Sequence, residues 1–414
     1  MEIPISYATD KNNCLQVRVS MESVMKNINT DVVVNFYVLC NHTVDDIGKN
    51  IIANINNSYN NCTVKFIDTK DSFEGAYNAL SNEGVASNAT YFRLLLPEYL
   101  ENYNTCIYLD ADTIVCEDLS KLFNKDINEY YVCGVKDIAV VTRYQKSDPV
   151  MIDMCKTLNV DSLDSYINAG VLYMNLDKMR KDNISHKFME CIKYHFRFQD
   201  QDIINKVLFG KIVLLEMRYN SRVDCDRYFS DFLISEQEKK AALENPAIIH
   251  FAGACKPWEN IGVRCGEIWW DYFYEMKDID YVLSYNGLDI IKKINKKMRV
   301  KKNAIQNIVD IFSGTKPIYV YGAGDYGRFI GEYILKGCDL FKGYIITGES
   351  QDDDVYKFND VKAQIVKENA VIFICVMEFY QAEIIDNLKN EGIKDYIVMN
   401  SEVMDILKAD LNLL

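Results

Sequence analysis

CIYLDADTIV, residues Cys106–Val115, places two carboxylates at the end of an apolar run. Ile107, Tyr108 and Leu109 suit a buried strand. Asp110 and Asp112 follow, one residue apart, and the chain turns apolar again. Charged groups are rarely buried unless they are paired or bound to something. Alternate residues of an extended segment face the same way, so the two acids offer hard oxygen ligands on one side. That donor type suits Mg²⁺ or Mn²⁺. A surface Asx turn is the competing reading of so short a motif.

The surroundings set this strand in a β-α-β series. Strands are expected at Ile3–Ala8, Asp31–Leu39, Thr63–Ile67 and Cys106–Asp110. Helices are expected at Leu15–Asn27, Val44–Ile55 and Asn88–Leu100. The alternation predicts an α/β fold with a mainly parallel sheet flanked by helices. Ligands of such sheets bind beyond the carboxyl ends of the strands, where Asp10, Asp110 and Asp112 fall. Farther on, NPAIIHFAGACKPW (Asn245–Trp258) sets His250 after a short apolar strand, then Gly253 and Lys256. A neutral imidazole can complete a metal site with two acids, and a lysine beside glycine suits phosphate. A lone histidine after a strand is more often structural, but the HxxGxxKPW spacing is more specific than that.

Composition bounds the rest. With 414 residues, 49% apolar and 26% charged, the chain is globular and long enough for two or three domains. A net charge of −14 makes nucleic acid an unlikely partner, so none is expected. Thirteen irregularly spaced cysteines without a CxxC pair, and the lack of a signal-like or membrane-spanning run, predict a reduced cytoplasmic protein. The basic run Lys292–Lys302 reads first as a solvated helix face. Its alternative is peripheral contact with the anionic inner face of a membrane. The aromatics Trp269, Trp270, Tyr272 and Phe273 read as anchors for such contact or as core.

A second β-α-β pattern opens with IYVYGAGDYGRFIGEYIL (Ile318–Leu335), where Gly322, Gly324 and Gly327 form GxGxxG between strand and helix. Glu349 stands near the end of the next strand, where it could hold a ribose. Such glycines also serve close strand–helix packing, and that is the preferred reading. The region resembles the small Rossmann-like modules attached to sugar-modifying enzymes. The expected division is 1–280, a helical basic connector 281–314, and 315–414.

Six stretches, in order, resemble glycosyltransferase family 8, the group of lipopolysaccharide galactosyltransferases and glycogenin. They are YATDKN (Tyr7–Asn12), ATYFRLLLPEYL (Ala89–Leu100), YLDADTIV (Tyr108–Val115), YINAGVLYMNL (Tyr166–Leu176), QDQDIIN (Gln199–Asn205) and IIHFAGACKPW (Ile248–Trp258). The resemblance covers about residues 1–280 and implies a GT-A type nucleotide-sugar-binding sheet. It implies a UDP-sugar donor and a hexose, glucose or galactose, moved with retention to a glycan or lipid-linked saccharide acceptor. Ala8, Thr9, Asp10 and Asn12 would bind the uridine; Asn13 stands where the family often has an aromatic residue. Asp110, Asp112 and His250 would hold Mn²⁺ or Mg²⁺, with Ala111 counted among the donor-binding residues. Gly253 and Lys256 would meet the diphosphate. Arg93, Asn168, Ala169, Asp200 and Gln201 would surround the sugar, and Asp137 falls where the family has another sugar contact. Gln201, Asp200 and Lys256 are the candidate catalytic residues. Gln201 is a weak nucleophile, so front-face attack by the acceptor is implied, with Asp200 as a covalent nucleophile left open.

Rival readings are an inactive sugar-nucleotide-binding or scaffold protein and a nicotinamide-dependent oxidoreductase. The first would have lost a metal ligand; the second would need a Tyr-x-x-x-Lys pair, which Tyr326 and Tyr333 do not form. A homo-oligomer is left open.

Overall fold

The computed structural model describes residues 1–69, 88–194, 196–228, 235–253, 256–259, 263–284, 315–400 and 403–404. The basic run Lys292–Lys302 lies outside them, with most of the expected connector. The chain forms two compact units, Met1–Asp289 and Ile290–Leu414.

Among the described residues, the first unit has ten strands: β1 Glu2–Thr9, β2 Val33–Cys40, β3 Cys62–Asp68, β4 Thr105–Leu109, β5 Thr113–Val115, β6 Val132–Lys136, β7 Ile167–Asn175, β8 Ile212–Leu214, β9 Ser221–Arg222 and β10 Ile248–His250. Seven form one sheet, in the order β3-β2-β1-β4-β7-β6-β8. Only β7 runs antiparallel to its neighbours, β4 and β6. Its nine residues, INAGVLYMN, are all buried, as expected of a strand covered on both faces. Because β7 is reversed, its start lies at the edge where β1, β4 and β6 end. That edge therefore gathers Asp10, Asp110, Asp137 and the Asn168–Gly170 backbone.

A three-stranded sheet, β5-β10-β9, supplies the remaining part of this edge. The antiparallel β5–β10 register sets His250 opposite Thr113, one residue after the second acid. The Phe251 N–H then donates to the Asp112 carbonyl at 2.9 Å. Two short apolar strands thus deliver an imidazole to the acids across 138 residues of sequence (250 − 112).

The helix expected at Asn88–Leu100 is a 3₁₀ segment, Asn88–Leu95, followed by the α-turn Leu96–Tyr99. Pro97 sits in the first turn of that α segment, where its missing N–H costs nothing. The helix Gly266–Tyr274 buries Trp269 and Phe273, stacked at 5.6 Å, so these two aromatics are core. Among the described residues, no helix is long and apolar enough to cross a membrane. Among the described residues, the twelve cysteines form no disulfide.

The second unit has strands β11 Ile318–Tyr321, β12 Phe341–Ile346, β13 Val355–Lys357, β14 Val371–Ile374 and β15 Tyr396–Val398. They form a parallel sheet in the order β13-β12-β11-β14-β15, a second α/β fold. Gly322, just beyond β11, has φ +110°, a conformation that favours glycine.

Candidate active site

The two acids of the β4 turn are held in different ways. The Asp110 N–H donates to the Gly170 carbonyl at 2.8 Å, which fixes its backbone against β7. Its Oδ1 accepts from the Tyr108 hydroxyl at 2.9 Å and pairs with Arg93 Nη2 at 3.0 Å. Asp112 is held by a different set of partners. Its Oδ1 lies 3.2 Å from His250 Nε2, and its Oδ2 pairs with Lys256 Nζ. His250 Nε2 is also 3.8 Å from Asp110 Oδ2. One ligand atom from each of Asp110, Asp112 and His250 lies within 4.8 Å of the others. Burial alone would raise the Asp112 pKa, but its interactions with His250 and Lys256 outweigh it and hold the carboxyl below the usual range.

Close approach here depends on a glycine. A Cβ at position 170 would lie 2.3 Å from His250 Cε1 and 2.8 Å from Asp110 Oδ2. Gly170 therefore lets β7 pass directly beneath the acids and the imidazole.

Arg93 anchors the neighbouring cleft. It is 3% exposed, and its Nη1 donates to the Ala169 carbonyl at 2.5 Å. Its guanidinium lies over the Tyr108 ring at 4.4 Å, and Nε sits 3.0 Å from Asp200 Oδ2. That Nε gives its hydrogen to the Thr90 carbonyl at 2.9 Å, which leaves Asp200 Oδ2 buried without a hydrogen bond. Burial pushes the Asp200 pKa up to about 6; Arg93 opposes the rise and Asp110 adds to it.

Gln201 is saturated. Its Oε1 accepts from Asn168 Nδ2 at 2.9 Å and the Ala169 N–H at 3.0 Å. Its Nε2 donates to Asp137 Oδ2 at 3.1 Å and the Tyr166 hydroxyl at 3.3 Å. Asp202 is turned into the core, where it accepts from the Tyr166 hydroxyl at 2.5 Å and the Phe198 N–H at 2.7 Å. Asp137 also caps the helix Ile138–Gln145 and pairs with Arg222 Nη1 at 2.7 Å. Arg222 in turn grips Asp224, whose Oδ2 would lie 3.3 Å from a Cβ at Gly253.

Two adjoining clefts share Thr90, Arg93, Asp110 and Asp112. One, about 290 Å³, is lined by Ala8, Asn13, Ala111, Lys256 and Trp258 among others. The other, about 560 Å³, is lined by Asp137, Asn168, Asp200, Gln201, His250 and Gly253 among others. From the first loop, Ala8 and Asn13 line the cleft. Thr9 is buried with its hydroxyl on the Asp10 carbonyl at 3.1 Å. Asp10 Oδ1 accepts from the Asn12 N–H at 2.8 Å and from Asn13 Nδ2 at 3.3 Å, bracing the loop from within. Lys256 reaches back to Asp112 and to the Phe251 carbonyl at 2.6 Å. The site thus brings together every expected metal and sugar residue. It also includes Gly170, Tyr166, Asn220, Arg222 and Asp224, which motif reading did not single out for a role.

A mainly parallel sheet with acids, an imidazole and a lysine at its carboxyl edge is a GT-A type glycosyltransferase fold. Residues 4–262 match the family described as glycosyl transferase family 8. A Haemophilus influenzae protein, provisionally named a glycosyltransferase, is 30% identical over 259 residues, 61% of this chain and 72% of its own. A lipopolysaccharide 1,2-glucosyltransferase of Escherichia coli K12 is 27% identical over 261 residues, covering 61% of this chain and 72% of the relative. The galactosyltransferase LgtC, solved with donor and acceptor sugar analogs, superposes with a TM-score of 0.55 at 24% identity, over 65% of this chain and 95% of LgtC. The chain belongs to glycosyl transferase family 8, a family of glycosyltransferases.

Proposed function

We propose that the protein is a metal-dependent, retaining glycosyltransferase that moves glucose or galactose from a UDP-sugar to a glycan or lipid-linked acceptor. The observation that carries this reading is the convergence of Asp110, Asp112 and His250 between the two clefts. Two carboxylates and one imidazole fit Mn²⁺ or Mg²⁺. When bound, the ion would supply positive charge to a departing diphosphate.

The protein's own groups divide the remaining work. Lys256, half-buried beside Trp258, adds a cation on the side of the first cleft, where Ala8 and Asn13 would meet the nucleoside. Gly253, at φ +64°, keeps its backbone free of side-chain bulk at the rim. Arg93 fixes Asp110 and Asp200 in one ion-paired set, and Asn168, held by Gln201, lines the second cleft. Gln201 is an amide with both ends hydrogen-bonded, and Asp200 is tied to Arg93. The saturated Gln201 amide is not prepared as a nucleophile, which favours direct attack by the acceptor hydroxyl from the face that UDP leaves, the departing phosphate taking its proton. The relative named a lipopolysaccharide 1,2-glucosyltransferase and the galactosyltransferase LgtC, solved with an acceptor sugar analog, support a hexose and a glycan acceptor.

The test is UDP release from a panel of UDP-sugars with Mn²⁺ and with EDTA, in wild type and Asp112→Ala. One donor is expected to turn over with metal alone, and the substitution to lower kcat on the order of 10³-fold. Transfer at the wild-type rate by Asp112→Ala would sink the reading.

A further inference from the structure

His250 Nδ1 lies 2.9 Å from Asn220 Oδ1, and the amides behind Asn220 decide which of the two carries the hydrogen. The Ala169 N–H can only donate, and it meets Gln201 Oε1. The Asp137 carboxylate meets Gln201 Nε2 from the other side. Turning the Gln201 amide over would oppose donor to donor and oxygen to carboxylate, so its orientation is fixed. The Gly170 N–H donates to Asn168 Oδ1 at 3.0 Å, which fixes Asn168 independently. Asn168 Oδ1 also accepts from Asn220 Nδ2 at 2.8 Å, so Asn220 must present its oxygen to His250. An amide oxygen only accepts. The hydrogen is therefore on Nδ1, and in the neutral ring Nε2 keeps its lone pair toward Asp110 and Asp112.

The opposite tautomer has a strong competitor in its favour. Asp112 Oδ1, 3.2 Å from Nε2, is a carboxylate and a better acceptor than an amide oxygen. A ring free to choose would put its hydrogen on Nε2 and block a cation there. We propose that Asn220 is the positioning residue that holds His250 as the Nδ1–H tautomer and so keeps Nε2 available to a divalent cation. The Gln201–Asn168 amide pair is what aims it. Asn220 is 2% exposed, touches neither cleft, and acts through His250. The inference rests on reading His250 as a metal ligand, but its tautomer is measurable without metal.

The experiment uses the full chain without donor. Ring ¹⁵N shifts at neutral pH report the tautomer; with only four histidines, the His250 signals are assigned by their loss in His250→Gln. Mn²⁺ affinity is measured in parallel by electron paramagnetic resonance. Wild type is expected to show Nδ1–H, Asn220→Ala to move the hydrogen to Nε2, and its Mn²⁺ affinity to fall about 10–100-fold. Asn220→Asp keeps an acceptor at Nδ1 and is expected to retain the wild-type tautomer, which a merely structural role would not distinguish from alanine. An Nε2–H ring in wild type, or an Asn220→Ala protein with unchanged tautomer and Mn²⁺ affinity, overturns the proposal. Should Asn220→Ala fail to fold by circular dichroism, an Nε2–H ring in Asn220→Asp does the same. A wild type that binds no Mn²⁺ removes the metal reading, while the ¹⁵N shifts still decide the tautomer.

Discussion

Each unit of the chain ends a central strand in a turn that its sequence marks, and the two turns are built from opposite materials. Beyond β4 the turn collects charge: Asp110 and Asp112 are answered by Arg93, His250 and Lys256 from two other segments. Beyond β11 the turn collects glycines, and most of them are explained by backbone packing. A Cβ at 327 would lie 1.7 Å from the Gly322 carbonyl oxygen, and one at 322 would lie 2.6 Å from that of Cys375. The nearby cation, Arg328, is already engaged by Asp352 at 2.9 Å and Asp354 at 2.7 Å. Glu349, expected to suit a ribose, lies 3.3 Å from Lys357. Packing accounts for Gly322 and Gly327; it does not account for two acids facing an imidazole.

The comparison breaks first at its glycines. Gly170→Ala would drive a Cβ to 2.3 Å from His250 Cε1, so Mn²⁺ affinity is expected to fall on the order of 100-fold, and transfer with it. Gly324→Ala, in the other turn, meets open space at φ −79° and is expected to shift stability by no more than about 0.5 kcal/mol. Mn²⁺ titration and thermal melts of both variants check this. Equal metal binding by Gly170→Ala and wild type would show that the close approach is not what assembles the site.

Arg93 comes next. Alanine there removes the partner of Asp110 and Asp200 in a site where the guanidinium is 3% exposed. Breaking a buried pair from one side costs about 3–5 kcal/mol, to be read from denaturant midpoints. Asp200 carries a related effect of known sign. Its folded pKa, near 6, is raised above the model-peptide 3.8, so its contribution to stability is complete below about pH 4 and lost as pH rises through 6. The loss is on the order of 3 kcal/mol, from a shift of about two pH units. Melts of metal-free wild type and Asp200→Asn between pH 4 and 7 are expected to diverge over that window. Parallel curves would show that Asp200 titrates normally.

Much of this was legible in sequence, and the division between what was and was not has a physical cause. Asp110, Asp112, His250 and Lys256 stand in short runs where an unusual residue follows an apolar strand, and the β4 and β10 ladders carry them to one edge. The parallel sheets were legible from alternation. Asn220, Arg222 and Asp224 were not, because their parts are played against residues far away: Asn220 meets Asn168 across 52 positions, and Arg222 meets Asp137 across 85. No local pattern encodes such a pairing. Gly170 was visible inside YINAGVLYMNL but read only as the neighbour of a turn, since the crowding that demands it belongs to His250. The 3₁₀ course of Asn88–Leu95 was also missed, because apolar spacing alone does not separate three residues per turn from 3.6.

The smallest expected effect sharpens the contrast in cations. Arg328 resembles Arg93 on paper: two carboxylates, and a tyrosine ring, Tyr344, at 4.3 Å from its guanidinium. The carboxylates, however, are exposed, so water and salt screen them and their loss leaves no buried charge unpaired. Arg328→Ala is therefore expected to cost only about 1 kcal/mol, mostly from the lost ring contact, and less at high salt. UDP-sugar turnover should be unchanged. A loss of several kcal/mol in denaturant melts would mean that the second turn, too, is organised by charge, and would bring a ligand there back into consideration.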